Sequence, residues 1–211
     1  MKKIDNVKVQ TKKLTSETAL DTLLHRYQGS LLGFGSDEDE VDFDSIDEKQ
    51  TYRIKSELYD AAMDDRLRRQ VDDKVLELEV GLALKREFDE MNTDSAHLHP
   101  NYILGNKEFD GIIVHVGNEH QDSDAYIIEC GYNPSIDKVA SVFDKVNAFT
   151  ANYKSDPHFS RVKTIIPVFG ARHFRPEVSA YCLRERIWQV KPSGFGYQVV
   201  RYYSRVKFFL K

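Results

Sequence analysis

The stretch EFDGIIVHVGNEHQDSDAYIIECG, residues 108–131, leaves the chain few ways to fold. Two runs rich in β-branched residues flank a polar cluster of Gly, Asn and Asp, the pattern of two strands joined by a turn. Side chains alternate along a strand, so Glu108, Asp110 and Ile112 fall on one face, and Ile127, Glu129 and Gly131 on one face of the next. A hairpin then brings Asp110 and Glu129 side by side. Two facing carboxylates repel unless a cation or a proton lies between them. Hard oxygen ligands in a partly open site suit Mg²⁺ or Mn²⁺ shared with a substrate phosphate.

The surrounding sequence supplies helices. From Thr51 to about Met91 helix formers dominate without a proline, giving one long helix or two, with a break near RRQVDDK where Asp72 or Asp73 serves as a cap. Within VDDKVLELEVGLALKREFDEM, the helical neighbours of Glu79 are Val75, Leu76, Leu82 and Ala83, whereas those of Glu77 include Asp73, Lys74 and Gly81. Glu79 is therefore expected to project from the buried stripe. An unpaired carboxylate there costs several kcal/mol, so the choice lies between a core arginine, a backbone amide and a bound cation.

NTDSAHLHPN reads as a loop carrying His97 and His99, and YILG as the first short strand. After the hairpin, NPSIDKVASVFDKVNAFTANY places Asn133 as a cap and Pro134 at the first helical position. VKTIIPVFGA is a nearly continuous apolar strand, of the kind buried on both faces. RPEVSAYCLRERI is a further helix, and WQVK and YQVVRYY are closing strands around PSGFG. The expected class is an α/β sandwich with a central mixed sheet flanked by helices. Arg172, His173 and Arg175 follow the apolar strand, at the edge where ligands gather in α/β sheets, and are the expected phosphate contacts. His115 and His120 flank the hairpin turn and are expected at the surface.

Charge is unevenly spread. Residues 1–70 carry 12 Lys/Arg and 15 Asp/Glu, residues 71–150 carry 6 and 16, and residues 151–211 carry 12 and 3. The basic segment suits a phosphate backbone and the acidic one a divalent cation, or the two segments attract each other within the fold. No apolar run approaches the roughly 20 residues that cross a bilayer, and the basic start lacks a secretory apolar stretch. The expectation is an intracellular chain, cytoplasmic or nuclear, with no membrane partner. Two cysteines, Cys130 and Cys182, among bulky apolar neighbours, read as reduced core thiols.

Residues 1–70 form a helical accessory region ahead of an α/β core over 71–211. SETALDTLLHRYQGSLLGF has the spacing of one amphipathic helix, and the acidic stretch 36–49, with its self-repelling charges, reads as a loop. That acidic N-terminal region is the expected face for a protein partner. Phosphate-cradling glycine loops are absent. The tail RYYSRVKFFLK mixes bases with aromatics, suiting either stacking on single strands or strand packing.

A helix with an inward glutamate, then EFDG, a hairpin to YIIEC, a helix and a strand resembles the PD-(D/E)XK nuclease superfamily, the restriction-endonuclease-like fold. The resemblance covers roughly residues 71–200. It implies Mg²⁺- or Mn²⁺-dependent hydrolysis of phosphodiesters, of DNA more than RNA, with Glu79, Asp110 and Glu129 as the metal shell. Gly131 stands where the family pattern has lysine. By the resemblance Lys138, on the following helix, would supply the missing ammonium, with Asp110, Glu129 and Lys138 as the catalytic set and Lys107 a weaker substitute. The alternative is a nuclease-fold module that binds nucleic acid or protein without hydrolysis.

Overall fold

In the computed structural model, residues 56, 65–90, 96–116, 123–194 and 196–202 are described. The expected N-terminal helix, the acidic stretch 36–49, His120 and most of the basic tail lie outside them. The elements are α1 (Asp65–Asp89), β1 (Ala96–Leu104), β2 (Lys107–Val116), β3 (Ser123–Gly131), α2 (Ile136–Ala140), α3 (Val142–Asn152), β4 (Val162–Ala171), α4 (Pro176–Glu185), β5 (Trp188–Ser193) and β6 (Gly196–Val200).

The strands form one sheet in chain order, β1-β2-β3-β4-β5-β6. β1, β2 and β3 are antiparallel neighbours, β3, β4 and β5 run parallel, and β5 and β6 close as a hairpin. The parallel steps need crossovers, which α2 with α3, and then α4, provide. The class expected from sequence, α/β with a mixed sheet between helices, is the one observed.

Alternation along β3 divides the core. Tyr126, Ile128 and Cys130 join Val71, Val75, Leu76 and Leu84 of α1 on one face. Ala125 and Ile127 join Val146 and Phe149 of α3 on the other. A third group, with Val139, Phe169, Val178 and Cys182, fills the space between α2, β4 and α4. Both cysteines are buried and free, as their apolar settings imply.

Several local expectations change. α1 runs unbroken through RRQVDDK, the one-helix alternative of the two, and it extends across the expected boundary at residue 70. Its apolar residues pack on the sheet over most of its length, which outweighs the capping tendency of Asp72 and Asp73. β1 begins at Ala96, so His97 and His99 lie in a strand rather than a loop. Pro100 masked that strand, yet β1 is an edge strand, where a missing N–H is tolerated. β1 and β2 are joined by Gly105 and Asn106, with Gly105 at φ +65° as a two-residue hairpin turn requires. The cap of the next helix is Ser135, whose Oγ accepts from Lys138 N at 3.2 Å, not Asn133. His115 stacks on Phe88 at 4.8 Å between ring centroids, and burial lowers its pKa. Among the described residues no helix is long and apolar enough to cross a membrane.

α1 approaches β4 so closely that a Cβ at Gly170 would lie 2.4 and 2.5 Å from the two γ-methyls of Val80. Gly170→Ala is expected to cost about 2 kcal/mol by overpacking, read from urea unfolding. Because Val80→Ala removes those methyls, the double variant should lose less than the two single variants together. Strict additivity would show that the helix shifts freely instead.

Candidate functional site

The candidate residues gather where the pairing of β2 is interrupted at Asp110. Its ladder with β1 passes from Pro100↔Gly111 to Tyr102↔Phe109 without an Asn101–Asp110 pair, and its ladder with β3 ends at Gly111↔Ile128. Asn101 sits at φ +48°, a left-handed conformation that asparagine tolerates better than most residues. Phe109 and Ile112, three apart, both join the core under α3, so the strict alternation expected over Glu108, Asp110 and Ile112 slips here. Asp110 takes over part of the lost pairing: its Oδ2 accepts from the backbone N–H of Cys130 at 2.7 Å.

A pocket of about 240 Å³ opens at this gap. Asp73, Leu76 and Glu77 of α1 line it together with Asp110, Cys130, Gly131 and Lys138. Glu129 is almost fully buried, with Oε2 3.2 Å from Lys138 Nζ and Oε1 3.0 Å from Lys145 Nζ. Among the described residues Oε1 accepts no hydrogen bond, although the Lys145 ammonium that faces it also donates to the carbonyl of Glu108. Across the pocket, Lys74 Nζ reaches Glu77 at 2.8 Å, Asn101 Oδ1 at 2.5 Å and Glu108 at 3.5 Å.

Burial and crowding make Glu77 and Asp110 hard to ionise. Burial, and then the charge of Asp110, push Glu77 up to about 8, against the pull of Lys74. Burial, and then the charge of Glu129, push Asp110 up to about 6, although the Cys130 N–H, Lys138 and Lys74 favour its anion. Burial lowers the pKa of Lys138 and of Lys74, but the neighbouring carboxylates outweigh it and leave both raised. The site is thus short of positive charge around Glu77 and Asp110, with three ammoniums already present.

Asp110, Glu129 and Lys138, singled out from sequence, stand together. Glu79 does not join them. It lies 2.9 Å from Arg172, whose guanidinium also faces the ring of Tyr197, and Glu77 fills the place beside the pocket. The rule that selected Glu79 took apolar neighbours as the mark of the buried face. α1 is buried almost all round, so apolar neighbours do not discriminate, and the polar neighbours Asp73 and Lys74 belong to the pocket's rim. Those polar neighbours were themselves the signal for Glu77. Lys145 was also missed; it lies seven residues after Lys138, on α3, which Ser141 separates from α2. Lys107 is exposed.

Arg172, His173 and Arg175 follow β4, whose Ala171 is the register partner of Gly131. Arg172 is committed to Glu79, His173 N donates to Tyr132 O at 3.0 Å, and Arg175 donates to Pro134 O at 3.3 Å and pairs with Glu177. They border the same end of the sheet as the pocket.

The donor set of Glu77, Asp110 and Glu129 is all oxygen, and the raised pKa values of two of the acids mark a place where added positive charge is favourable. Among the described residues, however, no group of three or more His, Cys, Asp or Glu side chains is arranged to hold a metal ion. Lysine ammoniums stand against Glu129 and Glu77 instead.

No protein-family model matches the chain, and no curated protein matches it. Among solved structures, the crystal structure of protein VC1899 from Vibrio cholerae is similar over 83% of this chain and 50% of that one, with 15% identity and a TM-score of 0.36. This chain spans about half the length of that protein. A likeness at that TM-score assigns neither fold family nor activity.

The raised carboxyls fix a pH dependence. Each binds more protons folded than unfolded between its ordinary value near 4 and its folded value of about 6 or 8. Stability therefore falls as pH rises through that window. In EDTA the melting temperature should drop by about 5 °C or more from pH 5 to pH 8, and Glu77→Gln should flatten the decline. An unchanged slope in that variant would remove Glu77 as its source.

Proposed function

We propose that the chain is a metal-dependent nuclease of the PD-(D/E)XK kind, hydrolysing phosphodiesters of DNA in preference to RNA, with Mg²⁺ or Mn²⁺ as cofactor. The observation that carries the reading is the meeting of Asp110, Glu77 and Lys138 at one pocket, with Lys138 paired to the buried Glu129. Asp110, Glu77 and Glu129 would hold the cation. When bound, the metal supplies charge against the phosphate and lowers the pKa of its water.

The chain's own groups have separable tasks. Lys138 stands at the pocket wall with its side chain 48% exposed, so its ammonium can turn to a phosphoryl oxygen as negative charge builds there. Its position on the helix after β3 supports the role that Gly131 cannot fill. Arg175 and His173, at the same sheet end, suit the flanking phosphates, while Arg172 spends its charge on Glu79. In the family pattern the first helical acid is then Glu77 rather than Glu79.

A second reading has an observation of its own. Lys74 pairs with Glu77, and Lys138 and Lys145 with Glu129, so a binding module of the same fold would keep these two acids matched without a metal.

Incubated with supercoiled plasmid and Mn²⁺ or Mg²⁺, the protein should nick or cut it, and EDTA should stop the reaction. Asp110→Ala should lower the rate at least about 100-fold, as loss of a transition-state group does. Glu77→Gln should cost far more than Glu79→Gln. Cleavage that ignores EDTA or survives in Asp110→Ala would exclude this mechanism, and absence of heat on titrating millimolar Mn²⁺ would favour the binding module.

A further inference from the structure

We propose that Lys145 is the positioning residue of this site: it clamps Glu129 to β2 where the strand ladder has ended, and so leaves Lys138 free to serve the pocket. The catalytic consequence rests on the nuclease reading; the clamp itself does not.

The two lysines on Glu129 are not equivalent. Lys145 reaches back from α3, and its Nζ lies against Glu129 Oε1 of β3 and donates to the carbonyl of Glu108 on β2. It also stands 5.5 Å from the centroid of the Phe109 ring. One ammonium therefore touches three points on two strands that no longer pair directly, since the ladder stopped at Gly111↔Ile128. Its stem rises from a helix anchored by the buried Val142, Val146 and Phe149, and the side chain is only 23% exposed.

Among the described residues Lys138 meets Glu129 alone of the carboxylates at hydrogen-bond range; it lines the pocket and is twice as exposed. It stands on a five-residue helix, α2, capped by Ser135. A lysine that leaves a buried carboxylate strands a charge unless another cation stays. Lys145 is the cation that stays. By holding Glu129 and the Glu108 carbonyl, it also fixes the spacing across which Asp110 bonds to Cys130 N–H.

The test compares Lys145→Met, Lys145→Arg and Lys138→Met. In EDTA, Lys145→Met should speed hydrogen exchange of the Cys130 amide at least tenfold and move its proton resonance, while Lys138→Met leaves both near wild type. With Mn²⁺, Lys145→Met should weaken calorimetric affinity by about 10- to 100-fold, as loss of a group behind the ligands does. Lys145→Arg, which keeps the charge, should restore most of it. Lys138→Met should keep the affinity and lower kcat. An unmoved Cys130 amide in Lys145→Met, or one moved equally by Lys138→Met, overturns the clamp. Should Lys145→Met not fold, Lys145→Gln takes its place in every comparison. Wild-type protein that neither binds Mn²⁺ nor cuts DNA would end the nuclease reading, and the Cys130 amide would still decide the clamp.

Discussion

The missing rungs between β2 and its neighbours at Asp110 are the constraint from which the rest of the site follows. A sheet interior with complete ladders has no room for a pocket, since adjacent strands lie less than about 5 Å apart. Here backbone pairing stops after Gly111↔Ile128, and side chains take up the unpaired groups: Asp110 bonds Cys130 N–H and Lys145 bonds the Glu108 carbonyl. Buried backbone donors and acceptors are rarely left without partners, so the opening persists only because polar side chains enter it. The polar residues are there for the fold as much as for any reaction.

Charge matching follows from that geometry. Three carboxylates drawn to the end of a sheet face lysines from three helices, Lys74 on α1, Lys138 on α2 and Lys145 on α3. Each pair lies partly out of solvent, where an unmatched ion costs more than the matched pair gains. The offset is incomplete around Glu77 and Asp110, whose pKa values stay high. A divalent cation entering there would displace protons from these two acids and compete with the lysines for carboxylate oxygens.

Much of the framework was legible because it depends on period. The β2–β3 hairpin, the apolar β4 and the helix after Pro176 all follow from alternation, continuous apolar runs or a proline start, and those rules hold where an element has one clear environment. The failures have a common physical origin in tertiary burial. α1 has no single apolar face to find, so Glu79 was preferred to Glu77; β1 tolerates Pro100 only because it is an edge. Asp110 and Glu129 were legible from strand alternation and Lys138 through the family resemblance, but the ties of Lys74 to Asn101 and Glu108 and of Lys145 to Glu108 span 27, 34 and 37 residues, which no local pattern encodes.

Gly131 now has a physical reading. A Cβ built there would meet Phe169 at 3.5 Å and Pro134 at 3.7 Å, ordinary contacts, and the residue has no left-handed φ. Packing at the first carbon therefore does not forbid a longer side chain. An ammonium at 131 would stand beside Glu77 and Asp110 at the pocket, with both oxygens of Glu129 already faced by Lys138 and Lys145. Once lysines reach Glu129 from α2 and α3, a lysine on β3 is redundant as its counter-ion. The glycine and the two helical lysines are parts of one arrangement, in which Glu129 meets a half-exposed ammonium from α2 and a more buried one from α3.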